Sequence, residues 1–206
     1  MSDMPLIVIP SSIENLHLPS PELVSYYKDL EQRVLWVDFP IDDPLFEIVK
    51  WILHFNREDK SIPKEERKPI YVLINSPGGD LYATFSCMDV MLASETPIVT
   101  VNMGMAMSGG FLLLLAGEKR YALNHSTAMY HNGDAGFHGN SEQVMMATKH
   151  YNKQLEQMKK YIMERTTMKP ATYNKYKNAD GWLDSAEQLK HGVIDEVITS
   201  VTDIIK

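Results

Sequence analysis

The run Pro69-Ile70-Tyr71-Val72-Leu73-Ile74-Asn75-Ser76-Pro77-Gly78-Gly79-Asp80 decides the fold. Its first six residues are almost all apolar and rich in β-branched and aromatic side chains, which reads as a strand. Ser76-Pro77-Gly78-Gly79 suits a tight turn, with Pro at the second position and Gly where a positive φ is needed. Leu81 to Ala93 supplies a helix. The same order returns with Pro97 to Met103 as strand, Gly104 to Gly109 as turn and Gly110 to Ala116 as helix. Strand, glycine turn and helix repeated at this length predict an α/β domain: stacked β-α units with a parallel sheet flanked by helices.

Working outward, Arg33 to Phe39 reads as a mostly buried strand ended by Pro40. Asp42 to Phe55 has an acidic cap, Pro in the first turn and apolar residues at helical spacing. The polar run Asn56 to Lys68 is a surface loop. Arg120 to Leu123 and Ala128 to His131 are short strands, followed by the glycine-rich stretch Gly133 to Gly139. A long helix is predicted from about Ser141 to Thr167, where Val144, Thr148, Tyr151, Leu155, Met158 and Ile162 form one stripe. Ser185 to His191 is a helix capped by Gly192, and Val193 to Ile198 is a closing strand. At the other end, Glu22 to Leu30 suits a short helix, and residues 1 to about 20, with Pro5, Pro10 and Pro19, suit an extended arm. There is no internal repeat and no second core, so residues 1–206 are expected to form a single domain.

At 206 residues, 44% hydrophobic and 23% charged, the chain can bury a full core without disulfide or metal staples. A net charge of -7 argues against a nucleic-acid binder, because an acidic surface repels phosphate. The one cysteine, Cys87, cannot form an internal disulfide, and the opening residues lack the basic and apolar regions of a secretory signal, so a cytoplasmic location is expected. The most apolar stretch, Phe111 to Ala116, is closed by glycines and falls far short of the roughly 20 residues of a membrane span. No phosphate-binding Gly-x-x-x-x-Gly-Lys loop, His-Glu-x-x-His helix or Cys-x-x-Cys pair occurs, so no cofactor or metal is expected.

Glycine turns at the carboxyl ends of parallel strands point to where chemistry sits, because they present free N–H groups at a crevice. In the second turn, Ser108 lies between a buried strand and an apolar helix. This resembles a nucleophile elbow in which Ala106 replaces the first glycine of Gly-x-Ser-x-Gly. The same position would suit an ordinary helix N-cap. A serine nucleophile requires a base. Of the seven histidines, His17, His54, His150 and His191 lie in positions that suit solvent or capping. His131 ends a strand at the same sheet edge as the two turns, while His125, in a turn, and His138, in the loop, are weaker candidates. The orienting carboxylate is Asp180, Asp134 or Asp184, and spacing does not choose among them.

Four blocks together resemble the family of Clp protease proteolytic subunits. They are Ile74 to Gly79, Ala106 to Leu113, Met129 to His131, and Asp180 to Leu183 with Ser185 to Glu187 and His191 to Asp195. The resemblance covers the chain from about Arg33 to the end. It implies a serine peptidase with Ser108 as nucleophile, His131 as general base and Asp180 as its orienter, and with the backbone N–H groups of Gly79 and Gly109 as the oxyanion hole. It further implies protein and peptide substrates, a Clp-type ATPase partner and a homo-oligomer of two stacked heptameric rings, a tetradecamer. In that picture residues 21–128 and 168–206 are the head and about 129–167 the handle, the long helix stripe is an interface, and Gly133 to Gly139 lies beside the substrate.

The chain departs from the family pattern at several places. Met105-Ala106-Met107-Ser108-Gly109-Gly110 stands for Gln-Ala-Ala-Ser-Met-Gly, His131-Asn132-Gly133 for His-Gln-Pro, and Ala179 for an Arg tied to ring–ring contact. At two aromatic positions of the ATPase docking pocket, Tyr71 matches and Leu73 does not, and the insertion Asn56 to Lys68 is longer than usual. A noncatalytic ring subunit and a crotonase-type acyl-CoA enzyme are the alternatives. Neither explains Ser108, His131 and Asp180 together.

Overall fold

A computed structural model describes residues 20–200 and 204–205 of the chain. The arm expected over residues 1 to about 20 lies, but for Ser20, outside the described residues. The chain forms two units, one up to Gln32 and one over Arg33–Lys206. In the first, α1 (Pro21–Glu31) is started by Ser20, whose hydroxyl accepts from the Leu23 N–H, with Pro21 in the first turn.

The second unit is built on β1 (Val34–Val37), β2 (Ile70–Ser76), β3 (Ile98–Met107), β4 (Lys119–Leu123) and β7 (Glu196–Ile198), paired in the order β1-β2-β3-β4-β7 and all parallel. Helices α2 (Leu45–Glu58), α3 (Leu81–Ala93) and α4 (Gly109–Ala116) make the crossovers expected from the sequence. The long helix α5 (Ser141–Arg165) opens with a capping box between Asn140 and Gln143. It ends at Arg165 rather than Thr167, because Thr166 is already extended. Two short elements were not expected, α6 (Pro170–Tyr176) and β6 (Gly181–Leu183), and α7 (Ser185–Lys190) precedes β7.

The turn expected to begin at Gly104 is instead the continuation of β3. Its first half pairs with β4 through Val99 to Asn102, and its last residues, Met105 to Met107, pair with β5 (Thr127–Tyr130). A second neighbour gives these residues ladder partners, so the strand runs on. β6 pairs antiparallel with β5, which is the single departure from parallel order among the described strands.

Between β2 and β3 the two glycine turns pack together without room for side chains. A Cβ on Gly78 would lie 2.6 Å from the Met107 carbonyl oxygen, one on Gly79 2.1 Å from the Ile41 oxygen, and one on Gly109 2.4 Å from Thr84 Oγ1. The Ile41 strand segment holds the first turn from outside, donating to Gly78 O at 2.8 Å and accepting from Asp80 N at 2.8 Å.

Helix α4 is buried along its whole length. Its apolar surface is the reason it folds inward, and its last carbonyls require partners. Tyr161 Oη donates to Leu112 O, and Arg165 donates to Leu115 O at 2.8 Å and Gly117 O at 2.6 Å. The C-terminal part of the α5 stripe is thus spent inside the chain, with Met158 and Ile162 buried, while Val144 is half-buried and Thr148 exposed; Met145 and Met146, which lie off the stripe, are 63% and 56% exposed. Tyr71 and Leu73 are likewise buried, against Val34, Val99, Val101 and Ile198.

The segment read as a surface loop, Asn56 to Lys68, in fact begins inside α2, which runs to Glu58, and is tied down at several points: the Asn56 amide donates to Ser94 Oγ and accepts from Glu95 N and Thr96 N, and Asp59 forms a second anchor. Asp59 is 1% exposed and accepts two hydrogen bonds from Arg33, at 2.6 and 2.7 Å, and one from Thr96 Oγ1 at 2.8 Å. The Arg33 hydrogen bonds hold the Asp59 carboxyl below its ordinary value against the opposing effect of burial, with Thr96 and the Arg33 and Arg67 charges adding.

Two predictions follow from this packing. Asp59→Asn removes the charge that compensates Arg33 and is expected to cost about 3 kcal/mol at neutral pH, read by denaturant unfolding at fixed protein concentration. A lowered carboxylate pKa stabilises above its unfolded value, so the gap between wild type and variant should close as pH falls below about 4. A gap that does not change with pH would contradict the pairing. Gly109→Ala is expected to destabilise by roughly 1–3 kcal/mol through overpacking, and Thr84→Ala in the same chain should restore most of the loss. Unchanged unfolding in Gly109→Ala would show that Gly109 is not packed against Thr84.

Candidate active site

Ser108 is the last residue before α4 and has φ 51° and ψ -114°, a conformation that non-glycine residues seldom adopt. It is held there from both sides. Its N–H donates to Met129 O at 2.8 Å, extending the β3–β5 ladder, and its carbonyl accepts from Phe111 and Leu112 in the first turn of α4. Ala106, where a nucleophile elbow usually has glycine, is fully buried within β3, so the sharp turn begins only after the strand ends. The Ser108 hydroxyl does not cap α4. That removes the ordinary explanation for a serine at this place. The hydroxyl instead meets His131, with Oγ 2.9 Å from Nε2.

His131 follows directly after β5, and its Nδ1 lies 3.1 Å from Asp180 Oδ1. A carboxylate only accepts, so the imidazole proton is on Nδ1 and Nε2 is left with its lone pair toward Ser108. Asp180 precedes β6 and has φ 53°, a left-handed conformation that Asp tolerates better than most residues. Across the β5–β6 ladder the last pair is Tyr130 with Gly181, which places the next residues, His131 and Asp180, opposite each other. Gly181 is required there: a Cβ would lie 2.3 Å from the Tyr130 ring.

Of the other sequence candidates, His125 is exposed between β4 and β5, and His138 is exposed in the loop before α5. Asp184 caps α7 by accepting from Glu187 N. Asp134 lies in the loop after His131, where its charge, together with burial, raises the Tyr151 hydroxyl above its ordinary value, burial being the larger cause.

Ser108, His131, Gly79 and Gly109 open onto one cavity of about 640 Å³. Gly109 is the first residue of α4, so its N–H is one of the donors that helical geometry leaves without an intrahelical partner. The positive end of the helix adds to the field at this point. One wall is formed by Gly133 to Phe137, which is not in a strand. α5 lines the same cavity through His150, Tyr151, Gln154 and Met158, with the Tyr151 ring against Phe137. His150, read from sequence as a solvent or capping residue, is therefore at the cavity. Gln154 was missed altogether, although its spacing of three from Tyr151 and four from Met158 places it on the same helix face. Among the described residues no group of three or more His, Cys, Asp or Glu is arranged to hold a metal ion, and no helix is long and apolar enough to cross a membrane.

The chain is 32% identical over 194 residues to the ATP-dependent Clp protease proteolytic subunit of Deinococcus radiodurans, covering 93% of this chain and 92% of that protein. It is 31% identical over 193 residues to the ATP-dependent Clp protease proteolytic subunit 2 of Treponema pallidum, covering 92% of this chain and 94% of that protein. Residues 22–201 match the profile described as Clp protease. The chain belongs to the Clp protease family.

Proposed function

We propose that the chain is a serine endopeptidase subunit in which Ser108 attacks the scissile carbonyl, His131 is the general base and acid, and Asp180 orients and stabilises the imidazole. The observation that carries this reading is His131 standing between Ser108 Oγ at 2.9 Å and Asp180 Oδ1 at 3.1 Å. As Oγ bonds to the carbonyl carbon, its proton passes to Nε2, and the imidazolium formed is stabilised by the Asp180 carboxylate. The carbonyl oxygen takes up negative charge, and the N–H groups of Gly79 and Gly109 receive it as the oxyanion hole. Collapse breaks the C–N bond, His131 returns the proton to the leaving amine, and water then releases the acyl group by the same steps in reverse. No cofactor or metal enters these steps.

The substrate in this reading is an extended polypeptide. Gly133 to Phe137 offers backbone without strand partners of its own along one cavity wall, and a substrate strand supplies the partner. Backbone pairing recognises little of the side-chain sequence, which suits an enzyme that takes many unfolded chains. Such chains need an unfolding machine, and the relatives are named as ATP-dependent, so the proposed partner is a Clp-type ATPase. The exposed Met145 and Met146 on α5 support burial against a further copy of this chain; the assembly proposed is two stacked heptameric rings, and the location proposed is the cytoplasm. In that assembly residues 21–128 and 168–206 form the head and about 129–167 the handle.

Ser108→Ala and His131→Ala are each expected to lower kcat for a fluorogenic peptide by at least about 10⁴-fold, and the double variant should be no worse than either single one. Hydrolysis within tenfold of wild type in Ser108→Ala would overturn the reading. By size-exclusion chromatography with light scattering, the wild-type protein should elute as an oligomer, and a monodisperse monomer at micromolar concentration would contradict the assembly.

A further inference from the structure

We propose that Asn132 is a positioning residue of this site: its hydrogen bonds tie the strand end carrying His131 to the segment carrying Asp180, and so hold the imidazole between Ser108 and the carboxylate. The inference rests on the peptidase reading above and adds to it a residue that touches none of the reacting atoms.

The β5–β6 ladder fixes the separation of the two chains only as far as Tyr130 and Gly181. His131 and Asp180 lie one step beyond it, where no ladder bond holds them, and the Asp180 side chain is 48% exposed. Asn132 makes four hydrogen bonds at this point. Its N–H donates to Lys177 O at 2.7 Å, its Nδ2 donates to Asn178 Oδ1 at 2.9 Å, and its Oδ1 accepts from Tyr173 Oη at 3.1 Å. Its carbonyl accepts from Tyr151 Oη at 2.7 Å, which adds an anchor on α5. Three of the four run to the stretch Tyr173 to Asn178, which ends two residues before Asp180. The amide thus clamps across the open end of the ladder.

The neighbours make this clamp the main tie. Gly133, next in the chain, has φ 73° and no side chain with which to hold the loop. Tyr173 is itself fixed, fully buried and stacked on the Tyr130 ring with centroids 5.6 Å apart, and Tyr130 packs on Phe111 of α4 at 5.8 Å. A hydroxyl on so rigid a ring gives Asn132 a stationary donor. The same aromatic row links the elements carrying Ser108, His131 and Asp180, and Asn132 extends it to the two residues that lie outside the sheet. Displacement of a catalytic group by about 1 Å costs on the order of 10²-fold in rate, so loosening this tie should act more strongly on turnover than on KM, although Asn132 lines the cavity beside the proposed substrate wall.

The test uses the full-length protein and a fluorogenic peptide. Asn132→Ala, which removes the two side-chain bonds and keeps the two main-chain ones, is expected to lower kcat by about 10-fold or more with a severalfold smaller change in KM. Asn178→Leu, which removes the acceptor, should lower kcat severalfold, whereas Asn178→Asp, which keeps it, should restore kcat to within about threefold. Asn132→Ala with kcat within twofold of wild type, or with kcat and KM changed together, overturns the proposal. Should Asn132→Ala fail to fold, Tyr173→Phe decides, because it deletes one hydroxyl and keeps the stacked ring: reduced kcat at unchanged KM supports the clamp and unchanged kcat overturns it. Wild-type protein without Ser108-dependent hydrolysis would overturn the peptidase reading instead, and with it this one.

Discussion

The close approach of two crossover turns governs the rest of the molecule. Gly78 after β2 presses against Met107 at the end of β3 and against Ser108 and Gly109 beyond it so tightly that a methyl group does not fit, and Gly79 is pressed in the same way against Ile41. The contact between the turns exists because the two strands are parallel neighbours ending at the same sheet edge, and it forces the chain into positive φ at Gly78 and at Ser108. Glycine meets that demand without strain at the first position. Serine at the second carries a cost of order 1–3 kcal/mol, which persists only where the surroundings over-determine it. Here the surroundings are the Met129 carbonyl on one side and the first turn of α4 on the other.

Helix α4 is the element that pins this strained residue. Eight residues without one polar side chain are buried between the sheet and the outer helices, so the helix cannot shift without exposing leucine to water. Its N-terminal amides face the cavity, and its C-terminal carbonyls are met by Tyr161 and Arg165 of α5. Burial raises the Tyr161 hydroxyl well above its ordinary value, which favours the neutral donor form. The long helix therefore has two tasks in one protomer: its last turns complete the hydrogen bonding of α4, and its middle turns form a cavity wall.

The alternation of strand, glycine turn and helix was legible because each element is marked by its own residues, apolar runs for the strands and Gly-Gly for the turns. His131 stood out as a candidate because a polar side chain at the end of a buried strand emerges at the sheet edge, whereas Ser108, in a glycine turn before an apolar helix, suited a nucleophile elbow and a helix N-cap alike. Asp180 was legible only through the family resemblance, because three carboxylates had suitable local contexts and only the pairing of β5 with β6 brings one of them opposite His131. That pairing joins residues some fifty positions apart through a three-residue strand too short to show a pattern. Pro170 in the first turn of α6 was the available signal for that helix, and its seven residues hid it. Asp59 illustrates the opposite failure: its neighbours read as solvent-exposed loop, and only the fold brings Arg33 and Thr96 around it.

The central claim is that Ser108 is an activated nucleophile, made so by its turn and by His131. The most direct measurement is reaction of the folded protein with a fluorophosphonate probe, with the modified residue located by mass spectrometry. The account predicts a single adduct on Ser108, lost when the protein is unfolded before labelling. Peptide hydrolysis by a protein that forms no adduct, or an adduct on a different residue, would contradict it.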